Sequence, residues 1–415
     1  MKMLSWATRV YIDGMEKTYF RKGFGLKSEI AGRLSADYHS ALVESLKRNG
    51  YSLELGPLTF RLAREFGFCY GVDRAVEYAY ETRTKFPERR LFLVGEIIHN
   101  PHVNEKLRAM GITFMAHQQT GEFDFSSVTP DDVVIMPAFG VTIRDFERLR
   151  SIGCVLVDTT CGSVLNVWKR VESYARDGYT AIIHGKHYHE ETKATASQVM
   201  KYPEGRYLVV LDMSEARIIC DYIEAGGSVQ ALQTRFGHAV SPGFDFQRDL
   251  TRVGLANQTT MLSGESLAIA DEFRKSMVRR YGPGALDQHF RSFDTICSAT
   301  QERQDAVLAL LQEQLDVMVV VGGYNSSNTC HLAALVQQHG VPTYHIEDAE
   351  AIDVATGAIR HQPIGTKSEV TALQWLGESR IVGITAGAST PNNKVGETIA
   401  RISAIAGVDL ERALE

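Results

Sequence analysis

The sequence predicts an α/β protein built from several small units, and three observations carry that prediction. Short apolar runs rich in Val and Ile recur along the 415 residues without polar alternation: LFLVG (91–95), VVIMPAF (133–139), VLVD (155–158), AIIHG (181–185), YLVVLD (207–212), VMVVVGG (317–323) and RIVGITAG (380–387). Runs of this kind mark parallel strands covered on both faces. Long helical patterns lie between several of them, the alternation that builds α/β layers. Third, a weak repeat joins an extended segment, a cysteine with a small residue close behind, and an amphipathic helix: FGFCYGVDRAV (66–76), VDTTCGSVLNVWKRV (157–171) and FDTICSATQERQDAV (293–307). Its cysteines, Cys69, Cys161 and Cys297, are 92 and 136 residues apart, about one small domain each.

Taken in order, residues 1–56 read as a helical extension, with Tyr38, Leu42 and Leu46 at helical spacing. The α/β pattern starts near Leu58, and the expected units are 57–160, 161–296 and 297–388, each of the last two opening on a cysteine of the repeat. A segment 389–415 follows. The stretches 228–247 and 350–378 lack clear periodicity and read as insertions or long loops.

Hydrophobic residues make up 44% and charged residues 23%, a globular composition. The net charge of −6 argues against a nucleic-acid partner, which needs a basic surface. No apolar run reaches the roughly 20 residues of a membrane helix. The first 25 residues lack the apolar core of a secretory leader and carry acids, unlike a transit peptide, so a cytoplasmic location is expected.

None of the six cysteines forms a CxxC pair, and a disulfide framework is not expected in a reducing compartment. Two readings of the repeat stand. Buried packing is the ordinary fate of a single cysteine. Against it, a thiol at a helix N-terminus is expected to have a lowered pKa and to favour the thiolate that binds metal. Structural zinc uses closely spaced ligand pairs, which are missing here. Three thiolates from three units fit a cubane iron–sulfur cluster with one iron left open.

Other polar clusters follow predicted strands. GEIIHNPHVNEKL (95–107) places His99 before a helix, and HGKHYHEETKATAS (184–197) groups His184, His187, His189, Glu190 and Glu191. The second is a solvated loop or a site of ligands and proton donors, and it is not the zinc motif HExxH. In VMVVVGGYNSSNTCHLAAL (317–335), Asn325, Ser326, Ser327 and Asn328 lie between strand and helix, where hydroxyls, amides and free helical N–H groups make an anion site. GITAGASTPNNKV (383–395) repeats the idea with Ser389 and Thr390, and NQTTM (257–261) adds Thr259 and Thr260. No GxGxxG nicotinamide motif is present, so electrons would come from another protein.

Together these strings resemble the 4-hydroxy-3-methylbut-2-enyl diphosphate reductase family, from about Arg64 to Val395. GFCYGVDRAV, EIIHNPHV, VDTTC, HGKHYHEET, NQTTM, TICSATQERQDAV, GGYNSSNT and TAGAST match in that order, and RKGFG (21–25) with the long inserts resembles the cyanobacterial and plastid branch. The resemblance implies three α/β domains in a trefoil around one [4Fe–4S] cluster held by Cys69, Cys161 and Cys297. It implies diphosphate contacts at His99, His189, Ser326, Ser327, Asn328 and Ser389. Thr259 would lie near the substrate hydroxyl, and Glu191 would be the proton-delivering carboxylate. A ferredoxin or flavodoxin is the implied electron donor, and the implied reaction is reductive dehydroxylation to isopentenyl and dimethylallyl diphosphate. Two positions depart from many bacterial members: Phe139 stands where they have His, removing an imidazole contact to substrate, and Gly162 where they have Pro, which affects only local stiffness. Two readings of another class remain: a redox-neutral iron–sulfur hydro-lyase and a metal-binding regulatory protein.

Overall fold

The structure is a computed structural model and describes residues 18–118, 121–293, 295–408 and 410. Parts of the expected end segments, 1–17, 409 and 411–415, lie outside the described residues. Three α/β units and one small antiparallel sheet account for the strands described.

The first sheet runs Tyr19–Phe20, Val155–Asp158, Val133–Met136, Leu91–Val94, Ile112–Met115, all parallel. The second runs Phe290–Ser292, Val253–Asn257, Thr180–His184, Tyr207–Val210, also parallel. The third runs Thr343–Ile346, Val317–Val321, Ile381–Ala386, Leu58–Leu62, with Ser52–Leu55 as an antiparallel edge. Most of the Val/Ile runs are central strands, Tyr207–Val210 being an edge: LFLV, VVIM, TAIIH and VMVVV are buried at every position, as strands covered on both faces must be.

The strand Leu58–Leu62, which the expected boundaries put with the first unit, pairs with Ile381–Ala386 in the third sheet. The helix that follows it, Tyr70–Lys85, buries Val72, Ala75, Val76 and Ala79 on one stripe. That stripe packs into the core of the first sheet, against Leu91, Leu93, Ile135 and Val157. The same handover occurs twice more. Val155–Asp158 lies in the first sheet, but the next helix, Gly162–Arg176, sets Val167, Val171 and Tyr174 in the core of the second, with Ala181 and Ile183. Phe290–Ser292 edges the second sheet, and the next helix, Ser298–Leu310, sets Val307 and Leu310 against Met318 and Val320 of the third. Each handover carries one of the three cysteines.

The extension is helical where described, at Lys27–Tyr38 and Ala41–Arg48, and it also supplies the edge strands Tyr19–Phe20 and Ser52–Leu55. The two irregular stretches are ordered. One holds the helix Val229–Phe236; the other holds the antiparallel sheet Ile352–Asp353, Ala358–His361, Val370–Ala372. No helix among the described residues is long and apolar enough to cross a membrane.

Candidate active site

Cys69, Cys161 and Cys297 each occupy the N-cap of their helix, with extended backbone. Each amide is tied down by a carbonyl from another segment: Cys69 N donates to Ala388 O (3.2 Å), Cys161 N to Ala138 O (2.8 Å) and Cys297 N to Thr259 O (3.4 Å). The thiols converge. A Cβ built on Gly71 would lie 2.5 Å from Cys161 Sγ and 3.8 Å from Cys69 Sγ, so glycine lets the two sulfurs share that space. Cys297 Sγ accepts from Thr300 N (3.3 Å) and feels the charges of Cys69 and Glu191. The expected lowering of the thiol pKa is not found at Cys69 or Cys297. Burial raises both, Cys297 to about 11, because desolvation outweighs the helix N-terminus. Metal coordination removes the thiol proton and so offsets that cost. The other cysteines lie apart: Cys154 and Cys220 are core residues, and Cys330 Sγ donates to Tyr324 O (3.2 Å). Three convergent soft donors, with a glycine cradle beside them, fit an iron–sulfur group held by three thiolates.

Glu191 stands in the first turn of the helix Glu190–Ser197 and is 3% exposed. Thr259 holds it twice: its N–H donates to Oε1 (2.6 Å) and its Oγ1 to Oε2 (3.0 Å). Burial raises its pKa to about 7 despite both bonds. The string NQTTM thus places Thr259 where its carbonyl holds Cys297 and its side chain holds Glu191.

Opposite lies a polar cradle. Ser326 caps the helix Ser327–Gln338, accepting from Thr329 N (3.3 Å). Ser389 Oγ lies 3.4 Å from Ser326 Oγ and donates to the His99 carbonyl (3.2 Å), which joins the third unit to the first. Asn328 Oδ1 accepts from Ala388 N (2.9 Å), which leaves its Nδ2 pointing elsewhere. Ser327 Oγ, Asn328 Nδ2 and His99 Nε2 are buried with no hydrogen-bond partner. Unpaired buried polar atoms are rare and costly unless a ligand meets them. The His99 and His189 rings meet edge to face at 5.0 Å, and His189 accepts from Glu191 N through Nδ1 (3.2 Å). Burial holds the His189 pKa well below its usual value, so that ring is neutral.

The structure therefore brings together Cys69, Cys161, Cys297, His99, His189, Glu191, Thr259, Ser326, Ser327, Asn328 and Ser389. It does not bring in the other loop histidines: His184 Nδ1 bonds Ser266 Oγ (2.8 Å), and His187 meets His238 (4.4 Å). Two contacts escaped sequence reasoning. Phe139 stacks on His99 (4.8 Å, 14°), and Glu96 Oε2 lies 2.9 Å from His99 Nδ1. Glu96 stands in the EIIHNPHV string, three residues before His99, and that spacing was its only signal.

Comparison with known proteins gives one pattern. Residues 60–403 match the family model described as LytB protein. A 4-hydroxy-3-methylbut-2-enyl diphosphate reductase of Gloeobacter violaceus is 51% identical over 396 residues, 94% of each chain. One of Thermosynechococcus vestitus is 50% identical over 94% of this chain and 96% of its own. Among solved structures, the E-1-hydroxy-2-methyl-but-2-enyl-4-diphosphate reductase of Plasmodium falciparum superposes with a TM-score of 0.60 at 21% identity, over 82% of this chain and 86% of that one, a likeness of fold.

Proposed function

The chain belongs to the LytB protein family, and on that premise we propose that it reduces (E)-4-hydroxy-3-methylbut-2-enyl diphosphate to isopentenyl and dimethylallyl diphosphate, the last step of the non-mevalonate isoprenoid pathway. The balance is two electrons and two protons in, one C–O bond broken, one C–H bond formed and water released. The observation that carries the reading is the meeting of three N-cap cysteines, a buried protonatable Glu191 and a cradle of unpaired donors at one place.

Cys69, Cys161 and Cys297 would hold one [4Fe–4S] cluster, which when bound supplies electrons singly and a Lewis acid at an iron without a protein ligand. Ser326, Ser327, Asn328, Ser389 and His99 bind the diphosphate, with the free N–H groups of the helix Ser327–Gln338 adding to its charge neutralisation. His189 closes the wall beside His99. With its pKa raised to about 7, Glu191 keeps its acid form populated near neutral pH and delivers that proton to the departing hydroxyl, with Thr259 Oγ1 within hydrogen-bond reach as relay. Fixing the diphosphate sets the allylic carbon and the hydroxyl relative to that acid. The electrons come from an external carrier, a ferredoxin or flavodoxin.

The test is anaerobic purification and an assay with the allylic diphosphate and a reduced viologen dye. Two electrons are expected to be consumed per molecule of product. Formation of a dehydrated product with no dye oxidation would establish a hydro-lyase instead.

A further inference from the structure

We propose that Glu96 and Phe139 are positioning residues that make His99 a donor at both ring nitrogens, so that capture of a diphosphate takes up one proton. The inference rests on the reading of the cradle as a diphosphate site. A carboxylate only accepts, so the 2.9 Å contact from Glu96 Oε2 places a hydrogen on His99 Nδ1. A neutral ring with that tautomer presents a lone pair from Nε2. Nε2 is the buried atom without a partner, and a diphosphate oxygen there is a second acceptor. Acceptors at both nitrogens require the imidazolium.

The other groups facing His99 agree in sign. Glu190 Oε2 lies 3.6 Å from Nε2, Glu191 feels the ring's charge, and the neighbouring His189 is held neutral by burial, with Lys186 and Lys193 close enough to disfavour its charged form as well. Phe139 fixes the plane of the ring. It stacks at 4.8 Å and 14°, and it also meets His189 edge on at 6.2 Å, so neither imidazole can rotate without losing that surface. The Phe at this position thus trades a second imidazole ligand for a platform that aims the first.

The test is calorimetry of inorganic diphosphate binding to the anaerobic holoenzyme at pH 8, in two buffers of different ionisation enthalpy. Comparison with Glu96→Gln cancels the titration of the diphosphate itself. An amide can donate to Nδ1 and permits the neutral Nε2–H tautomer, so wild type is expected to take up about one proton more than the variant. Affinity in Glu96→Gln is expected to fall roughly tenfold, the value of one charge-assisted bond. Phe139→Leu should weaken binding severalfold and Phe139→Tyr should restore it. Equal proton uptake in wild type and Glu96→Gln, or wild-type affinity in Phe139→Leu, would overturn the proposal while leaving the cradle. A wild type that binds no diphosphate would remove the cradle and the proposal together.

Discussion

In the proposed reaction Glu191 is the residue on which the chemistry turns, and its surroundings set its proton. Its pKa is raised to about 7 by burial, so the acid form exists below that pH and is lost above it. If the acid form is the active one, turnover falls as pH rises through about 7. In Glu191→Gln that limb should vanish, because the amide keeps the shape and transfers no proton. Turnover should drop by roughly 10²–10⁴ with iron content and diphosphate binding retained. Steady-state rates across pH, with titration of the cluster spectrum, would measure both. Glu190→Gln should cost far less, since the Glu190 side chain is 35% exposed and approaches His99 no nearer than 3.6 Å. Ser327 offers a cleaner probe of the cradle than Ser326. Ser326 Oγ also caps a helix, so its loss mixes binding with stability, whereas Ser327 Oγ has no partner. Ser327→Ala is therefore expected to weaken inhibition by inorganic diphosphate by roughly 1.5–3 kcal/mol with no change in the unfolding midpoint; unchanged inhibition would place the anion elsewhere. At this scale the sequence was informative wherever residue type determines chemistry: thiols, a carboxylic acid, a run of hydroxyls and amides. It was silent on Glu96 and marked Phe139 only as a lost imidazole, because the contacts of both depend on which edge and face of His99 they meet.

The element that organises the site is the strand–cysteine–helix junction, used three times. Its first copy has a device that spacing does not reveal. Gly71 sits in the first turn of a helix, where glycine normally costs about 1 kcal/mol relative to alanine, yet a Cβ there would lie 2.5 Å from Cys161 Sγ. Gly71→Ala is thus expected to lower iron content sharply while local helix propensity rises. Full iron loading in that variant would show that the sulfurs do not need this space. The junctions were readable because a cysteine followed by a helical pattern is a local signal. The less regular stretches were not. The helix Val229–Phe236 buries only Leu232 and Phe236, and the strand Val370–Ala372 is mostly exposed, so neither imprints a clear period on its residues. Gly162 occupies the first helical position after Cys161, a place that Pro also suits, which is why either residue can serve there.

At the scale of the whole molecule, the three units are laced together. Each cysteine lies where the chain leaves one sheet and gives its next helix to another core, so the sulfurs meet between units. This interlacing was the least legible feature. Pairing of Leu62 with Ile384 joins residues far apart in sequence, and nothing local in LTFRL says which sheet it joins. The extension is held to the first unit by Glu81, which is 2% exposed and accepts from the amides of Phe24 and Leu26. Glu81→Ala strands both amides and should destabilise the fold by about 2–3 kcal/mol, measured as a lower urea midpoint; an unchanged midpoint would mean that the extension adds nothing to the unit. The central claim is that the three junction cysteines, and no others, hold one cluster at the meeting point of the units. Iron per chain, measured after anaerobic purification on all six Cys→Ser variants, tests it most directly. Cys69→Ser, Cys161→Ser and Cys297→Ser should each lose most of their iron, while Cys154→Ser, Cys220→Ser and Cys330→Ser keep the wild-type content. Full iron in any of the first three, or loss of iron in a correctly folded member of the second three, would contradict it.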